Sequence, residues 1–385
     1  MNFSEFDALM MQRALDLAEK GIYSTKPNPA VGCVITQDSK VIGEGWHRQA
    51  GQLHAERLAL LDAQQRGFFV KGATAYVTLE PCSHTGRTSP CSDALIEAGI
   101  GRVVVAMQDP NPLVCGQGIQ KLQAANIPVD VGLMQERAES LNLGFIQTMK
   151  TQLPFVRLKM ATSLDGRTAA ANGESQWITG DEARKAVHFM RAKHGALITG
   201  IGTVLADDPS LTVRLTDEEL ASINLTQDNC HPIRVILDPH MSMPLDAKML
   251  SLPGRTIVMT SKASAESQRS QIDAFYAKGI ELVAVAAQDD VLDLESVLHY
   301  LAQEEKVTDV MVEAGSIVAG AFMRSGFVNE LHCFVAPTIM GDKAKPMFTL
   351  PGIEAMSDKL PLAFQSCNLV GQDVHLVLTP TTQKG

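Results

Sequence analysis

Apolar positions along this chain alternate between helical and strand spacing. Ser4-Glu5-Phe6-Asp7 has the form of an N-cap with an acid three residues on, and Gly21 follows the last periodic position. An amphipathic helix is expected between them. Two short apolar runs, 30–35 and 41–46, flank Gln37-Asp38-Ser39-Lys40 and predict a hairpin. Residues 53–65 read as a helix ending at Gly67. Residues 74–79 and 102–107 are β-branched runs with a helix near 92–98 between them. Repeated strand–helix alternation predicts layered α/β structure.

Near residue 150 the pattern restarts. Residues 141–150 look like the end of a helix, and Pro154 opens a strand over 155–160. The expected division is 1–150 and 151–385, and 385 residues suit about two domains. Buried-strand runs follow at 196–199, 233–237, 256–260, 280–285, 309–312 and 331–335. Residues 215–232 are polar and are expected to form a surface excursion.

Charge narrows the partners. The net charge is −10, divided as −2 over residues 1–150 and −8 over 151–385. Neither half offers the basic field that nucleic acid or an anionic membrane requires. No apolar run approaches the ~20 residues of a membrane span. Glu5 and Asp7 stand where a signal peptide would be positive. Seven scattered cysteines predict a cytoplasmic protein with free or metal-bound thiols.

His54-Ala55-Glu56 at a helix start, then Pro81-Cys82 and Cys91, bring one imidazole and two thiols. Three such ligands suit a catalytic Zn2+ whose fourth position holds a water with its pKa lowered to about 7. Helical residues two apart do not share a face, so Glu56 suits a proton shuttle better than a fourth ligand. The pattern is close to the base-deaminase signature H-x-E…P-C-x-x-C, with eight residues between the cysteines instead of two. The alternative is two buried cysteines, or a structural zinc completed by Cys33 or His84.

The eight-residue insert carries His84, Thr85, Arg87 and Thr88 between Gly86 and Pro90. Such a loop suits an anionic group such as a phosphate; the plainer reading is a solvated loop. Asn28 in Lys26-Pro27-Asn28-Pro29 could read a heterocycle edge or simply shape a turn.

In the second half, a strand at 309–312 leads through Glu313-Ala314-Gly315 into a helix start. That turn could let backbone N–H groups approach a pyrophosphate, although it is not the G-x-G-x-x-G fingerprint. Gly200-Ile201-Gly202-Thr203 follows another strand. Lys159 lies in a strand that leads to Thr162-Ser163-Leu164-Asp165-Gly166, and Arg191 and Arg214 are basic residues near these loops. Thr260-Ser261-Lys262 is a candidate for a 2′-phosphate.

Together these residues resemble the bifunctional deaminase–reductases of riboflavin biosynthesis. The resemblance spans nearly the whole chain. It rests on Pro27-Asn28-Pro29, His54-Ala55-Glu56 and the run from Thr78-Leu79-Glu80-Pro81-Cys82 to Pro90-Cys91. In the second half it rests on Ser163-Leu164-Asp165-Gly166-Arg167, Gly173-Glu174-Ser175-Gln176-Trp177, Thr203 through Asp207-Asp208-Pro209, and Glu313-Ala314-Gly315. Ala30 is a local departure from that pattern.

The resemblance implies an N-terminal cytidine-deaminase-like three-layer domain and a C-terminal dihydrofolate-reductase-like domain. It implies deamination of 2,5-diamino-6-ribosylamino-4(3H)-pyrimidinone 5′-phosphate, then NADPH-dependent reduction of the ribosyl group to ribityl. Carried over, His54, Cys82 and Cys91 are zinc ligands and Glu56 the proton donor. NADP contacts fall on Ala161, Trp177, Thr203, Asp207, Gly315, Ser316, Ile317, Val318, Ala319, Gly320 and Ala321. Substrate contacts fall on Ser175, Arg191, Leu211, Arg214 and Glu313. Lys159 and Asp207 are candidates for polar help in hydride transfer. His84, Arg87, Thr88 and Asn28 are candidates for the deaminase substrate. A small-molecule substrate, no nucleic acid, no membrane and a homo-oligomer (dimer or tetramer) are expected. The competing readings are a zinc deaminase of nucleic-acid bases with a C-terminal substrate-binding domain, and a non-enzymatic nucleotide binder with a structural zinc.

Overall fold

The structure is a computed structural model, and it describes residues 3–83, 89–112 and 114–381. Two compact units emerge: Met1–Gln152 with Glu218–Leu225, and Leu153–Asp217 with Thr226–Gly385.

The first unit is built on a five-stranded sheet in the order Lys40–Trp46, Gly32–Gln37, Thr74–Val77, Arg102–Val105, Val129–Val131. The first two pairings are antiparallel and the last two parallel. Side chains alternate across the sheet with period two. Cys33, Ile35, Ala75, Val77, Val103 and Val105 face one helical layer; Val34, Tyr76 and Val104 face the other. The result is a three-layer α/β/α sandwich.

Its first helix, Glu5–Glu19, starts on a capping box, with Ser4 Oγ accepting from Asp7 N at 3.1 Å. The other carboxylate oxygen of Asp7 accepts from Tyr76 Oη at 2.8 Å and Arg102 Nη1 at 2.7 Å. Burial opposes that charge, but the Arg102, Ser4 and Tyr76 hydrogen bonds hold it well below the usual carboxylate range. The helix Ala55–Gln65 lies directly on the hairpin. A Cβ on Gly45 would come within 2.4 Å of the Ala55 carbonyl oxygen, so the bare strand permits the close approach.

The expected helix end at 141–150 is two helices, Gln135–Leu141 and Leu143–Thr151. They break at Asn142, whose buried amide bonds Ala30 N at 2.8 Å and Ala30 O at 3.0 Å. A side chain committed to another segment's backbone competes with helix continuation.

The second unit holds a nine-stranded sheet. Seven strands are parallel: Ile280–Val285, Thr256–Ser261, Ile233–Leu237, Ala196–Gly200, Asp309–Val312, Phe155–Ser163 and Val328–Ala336. An antiparallel hairpin, Asp373–Pro380 and Leu362–Val370, completes it. Both faces are covered, with Leu158, Ile198 and Val312 on one side and Leu197, Ile236, Met311 and Phe334 on the other. That explains the continuous apolar runs of the central strands.

Two sequence expectations differ here. The hairpin was not predicted, because Leu362–Val370 is exposed along most of its length and shows no apolar run. The polar stretch 215–232 is more than an excursion: it contains the helix Asp217–Ser222, and Leu220 and Leu225 are buried.

Candidate active sites

In the first unit, His54 is the extended N-cap of Ala55–Gln65 (φ −75°, ψ 165°). Cys82 follows Pro81 beyond the strand Thr74–Val77, and Cys91 is the first residue of the helix Cys91–Glu97. The fold brings them together. His54 Nδ1 lies 3.7 Å from Cys82 Sγ and 3.4 Å from Cys91 Sγ, and all three ligand atoms lie within 4.8 Å of one another. Ordinary Zn–N and Zn–S bonds in a tetrahedron require N···S separations of about 3.6 Å. Both the donor set and the spacing therefore fit zinc. Cys33 is fully buried and is not part of this cluster, the only such group among the described residues.

Glu56 is 3% exposed. Burial, then the charge of Cys82, pushes its carboxyl up to about 7. Cys82 is lowered to about 4, chiefly by the Cys91 hydrogen bond, and Cys91 is raised. The spacing argument set Glu56 beside the ligands as a proton shuttle and not among them. In the structure it reaches Cys91, because His54 precedes the helix and its extended backbone turns the imidazole toward the same spot.

The surroundings are tightly tied. Cys82 O accepts from Ser92 N at 3.2 Å and Ser92 Oγ at 3.0 Å. Glu80, two residues before Cys82, spends its carboxylate on four backbone N–H groups: Asp109 (3.1 Å), Gly116 (2.9 Å), Gly118 (2.8 Å) and Ile119 (3.2 Å). Sequence reading used Glu80 only as part of a motif. It missed His47 altogether. That ring is buried and meets His54 edge-on at 5.3 Å. Its Nδ1 bonds the Leu53 carbonyl at 3.1 Å, leaving Nε2 to accept from Asn28 Nδ2 at 3.1 Å. Asn28 is thus both a turn residue and a polar group beside the candidate metal site. His84, Arg87 and Thr88 lie outside the described residues.

In the second unit, a cavity of about 1180 Å³ opens at the carboxyl ends of the parallel strands, the usual place for a ligand in open α/β sheets. Lys159, Ala161, Ser175 and Trp177 line it, with Arg191, Thr203, Asp207, Leu211 and Arg214. Glu313, Gly315, Ser316, Ile317, Val318 and Ala321 complete this set of expected residues. Glu313 is the hub: Arg191 donates to both its oxygens, and Lys159 Nζ lies 3.3 Å from Oε1. Asp207, on an exposed helix end, accepts from Ser175 Oγ at 3.2 Å. Arg184 stacks over Trp177 at 4.6 Å. Thr203 Oγ1 accepts from Gly315 N at 3.2 Å.

Two expected cofactor residues lie off the cavity wall. Ala319 is fully buried in the core, and Gly320 lies against Thr349, whose carbonyl oxygen a Cβ would meet at 2.0 Å. The helix Ser316–Ser325 shows one face to the cavity and the other to the protein, so a continuous run could not all face a ligand. Thr260-Ser261-Lys262 is also not on the wall. The Thr260 and Ser261 hydroxyls bond the Pro239 carbonyl, and Ser261 caps a helix.

Known proteins bear on both units. Residues 4–107 match the cytidine and deoxycytidylate deaminase zinc-binding region, and residues 154–376 match the RibD C-terminal domain. The riboflavin biosynthesis protein RibD of Escherichia coli K12 is 44% identical over 376 residues, covering 96% of this chain and 99% of that protein. The chain belongs to the RibD family. Acinetobacter baumannii RibD superimposes with a TM-score of 0.87 at 44% identity, covering 98% and 99% of the two chains. A Thermotoga maritima deaminase/reductase of the same family does so with 0.83 at 33% identity, again over 98% and 99%. The RibD family pairs a cytidine-deaminase-like domain with a reductase domain, and its cofactors are zinc and NADPH. The second unit fits a dinucleotide: the cavity exceeds the roughly 300–1,000 Å³ of ordinary ligand pockets. Gly315 caps Ser316–Ser325 without a side chain, and Thr203 Oγ1 alone lies within 4 Å of a Cβ built there.

Proposed function

We infer that this chain carries out two consecutive steps of riboflavin biosynthesis. It deaminates 2,5-diamino-6-ribosylamino-4(3H)-pyrimidinone 5′-phosphate, then reduces the ribosyl group of 5-amino-6-(5-phosphoribosylamino)uracil to ribityl with NADPH. The observation that carries this reading is the His54, Cys82 and Cys91 cluster with Glu56 buried against it. We assign deamination to residues 1–150 and reduction to 151–385.

In the first unit, His54, Cys82 and Cys91 would hold zinc, which supplies Lewis-acid activation of water. Glu56 takes the first proton of the water and delivers it to the ring nitrogen, then passes the second, from the new hydroxyl, to the departing amine. Ammonia leaves, and a carbonyl replaces the C–NH2 group. Asn28 offers an amide to the heterocycle edge, and His84, Arg87 and Thr88 are assigned to the substrate.

In the second unit, NADPH supplies the hydride. Ala161, Trp177, Thr203, Asp207 and the cavity-facing residues of the 315–321 turn are its assigned contacts. Lys159 and Asp207 orient and polarise the sugar. Ser175, Leu211 and Glu313 shape the substrate side, and Arg191 and Arg214 offer cations to its phosphate.

A deaminase of nucleic-acid bases is not favoured: the second half carries −8 and matches a RibD C-terminal domain along most of its length. No helix among the described residues is long and apolar enough to cross a membrane. We place the protein in the cytoplasm as a homo-oligomer, dimer or tetramer, which light scattering and cell fractionation would check. Incubation of the purified chain with the diaminopyrimidinone nucleotide tests the assignment. Ammonia should appear without NADPH, and the ribityl product only with it. Ammonia release without any reduction would remove the second step.

A further inference from the structure

The cavity of the second unit has a histidine that the assigned functions leave unused. His188 lies on the helix Asp181–Lys193, one turn before Arg191, and lines the same wall. It is 9% exposed. Both ring nitrogens lie beside Arg214, Nδ1 3.2 Å from Arg214 N and Nε2 3.3 Å from Arg214 Nε, and the Thr212 carbonyl also accepts from the ring. A neutral imidazole has one acceptor nitrogen. Whichever nitrogen that is, it meets an Arg214 donor.

The cations around this point are not equivalent. Arg191 spends Nε and Nη2 on Glu313 and Nη1 on the Thr212 carbonyl. Lys159 is also paired with Glu313. Among the described residues Arg214 makes no ion pair and feels Glu313 only through space, and its terminal amino groups bond nothing. Of Arg191, Lys159 and Arg214 it is therefore the one with free donors to offer an anion, and His188 is the group that holds it.

We propose that His188 is a positioning residue of the reductase, a neutral imidazole that fixes Arg214 to receive the phosphate of the sugar substrate. This rests on the reading of the cavity as the reductase site. The charge environment supports it. Burial, together with Arg191 and Arg214, lowers the ring to about 4, against the weaker pull of Glu313 and the Thr212 carbonyl. The imidazole thus remains an acceptor through the neutral range. A protonated ring would place a third positive group against both arginines.

The test uses ribose 5-phosphate binding to the full-length, zinc-loaded chain, with wild type, His188→Leu, His188→Met, His188→Gln and Arg214→Gln compared. One lost hydrogen bond to a charged group corresponds to roughly tenfold in affinity. His188→Leu and His188→Met should each weaken ribose 5-phosphate about tenfold and raise KM for the phosphorylated substrate alike. Turnover at saturation and KM for NADPH should not move. His188→Gln, which restores an oxygen acceptor, should recover most of the affinity. Wild-type affinity in both apolar variants would overturn the proposal. So would a rise in KM for NADPH in place of the sugar effect, which would assign Arg214 to a cofactor phosphate. If Arg214→Gln binds ribose 5-phosphate as wild type does, the phosphate seat itself is misplaced and the proposal falls with it. If Arg214→Gln loses affinity while the apolar variants keep it, the seat stands and the role of His188 alone is refuted.

Discussion

Glu313 grips Arg191 at two points, Oε2 to Nε at 2.9 Å and Oε1 to Nη2 at 3.0 Å. This is the fork geometry that makes arginine–carboxylate pairs strong and directional. Lys159 approaches the same carboxylate at 3.3 Å. Burial opposes the Glu313 charge, but Arg191 and Lys159 outweigh it and hold the carboxyl well below the usual range. The cluster is therefore ionised across the neutral range and carries one surplus positive charge toward the cavity.

Glu313→Gln removes the only counter-charge shared by two part-buried cations. Breaking such a pair costs about 3–5 kcal/mol. The second unit should lose stability on that scale in a denaturant titration, and NADPH oxidation should be largely lost. Ammonia release should persist, because the deaminase cluster lies in the other unit.

Glu80→Gln leaves four backbone N–H groups sharing one oxygen, with an amide NH2 forced among donors. The segment carrying Cys82 should loosen. Partners that orient metal ligands are typically worth 10–100-fold in affinity. A competitive chelator titration should show zinc held about that much more weakly, with the reductase rate unchanged.

Gly45→Ala places a methyl 2.4 Å from the Ala55 carbonyl oxygen and 2.5 Å from Ala59 N. The helix that presents His54 and Glu56 must shift outward. Overpacking of this kind costs about 1–3 kcal/mol. The variant should unfold earlier in urea and deaminate more slowly at full zinc loading, whereas Gly202→Ala, which meets nothing within 4 Å, should do neither.

Acid should weaken the second unit before its carboxylates titrate. His375 stacks on Phe334 at 4.2 Å, and burial, then His332, lowers its ring from 6.5 to about 4. The folded state disfavours the proton, so this contribution is complete above about pH 6.5 and is lost as pH falls toward 4. His188 acts in the same direction. Glu313 and Glu330, both lowered, lose their contribution only below the ordinary carboxylate value of 4.5. The calorimetric transition that NADPH shifts upward should therefore move down between pH 6.5 and 4.5, and His375→Gln should flatten that slope. An equal slope in the variant would remove His375 from this account.

Much of the architecture was legible because burial sets the pattern. The central strands of the second sheet are covered on both faces and read as unbroken apolar runs, whereas the strand Leu362–Val370 is mostly exposed and left no such trace. The His54, Cys82 and Cys91 cluster could be recognised because its residue types are rare in that order. The position of Glu56 could not be inferred from helical spacing, since His54 stands outside the helix as its N-cap. Ala319 and Gly320 were included with a continuous turn that the helix divides between cavity and core. His188 did leave a signal, three residues before Arg191 on one helix. His47 left none, because its partners Asn28 and Leu53 come together only through the fold.

Zinc content and ammonia release measured on one preparation of Glu56→Gln test the central claim most directly. The metal should remain at one per chain, ammonia release should fall by about 10²–10⁴-fold, and reduction of the deaminated substrate should proceed at the wild-type rate. Ammonia release at the wild-type rate from the zinc-loaded variant would contradict the account.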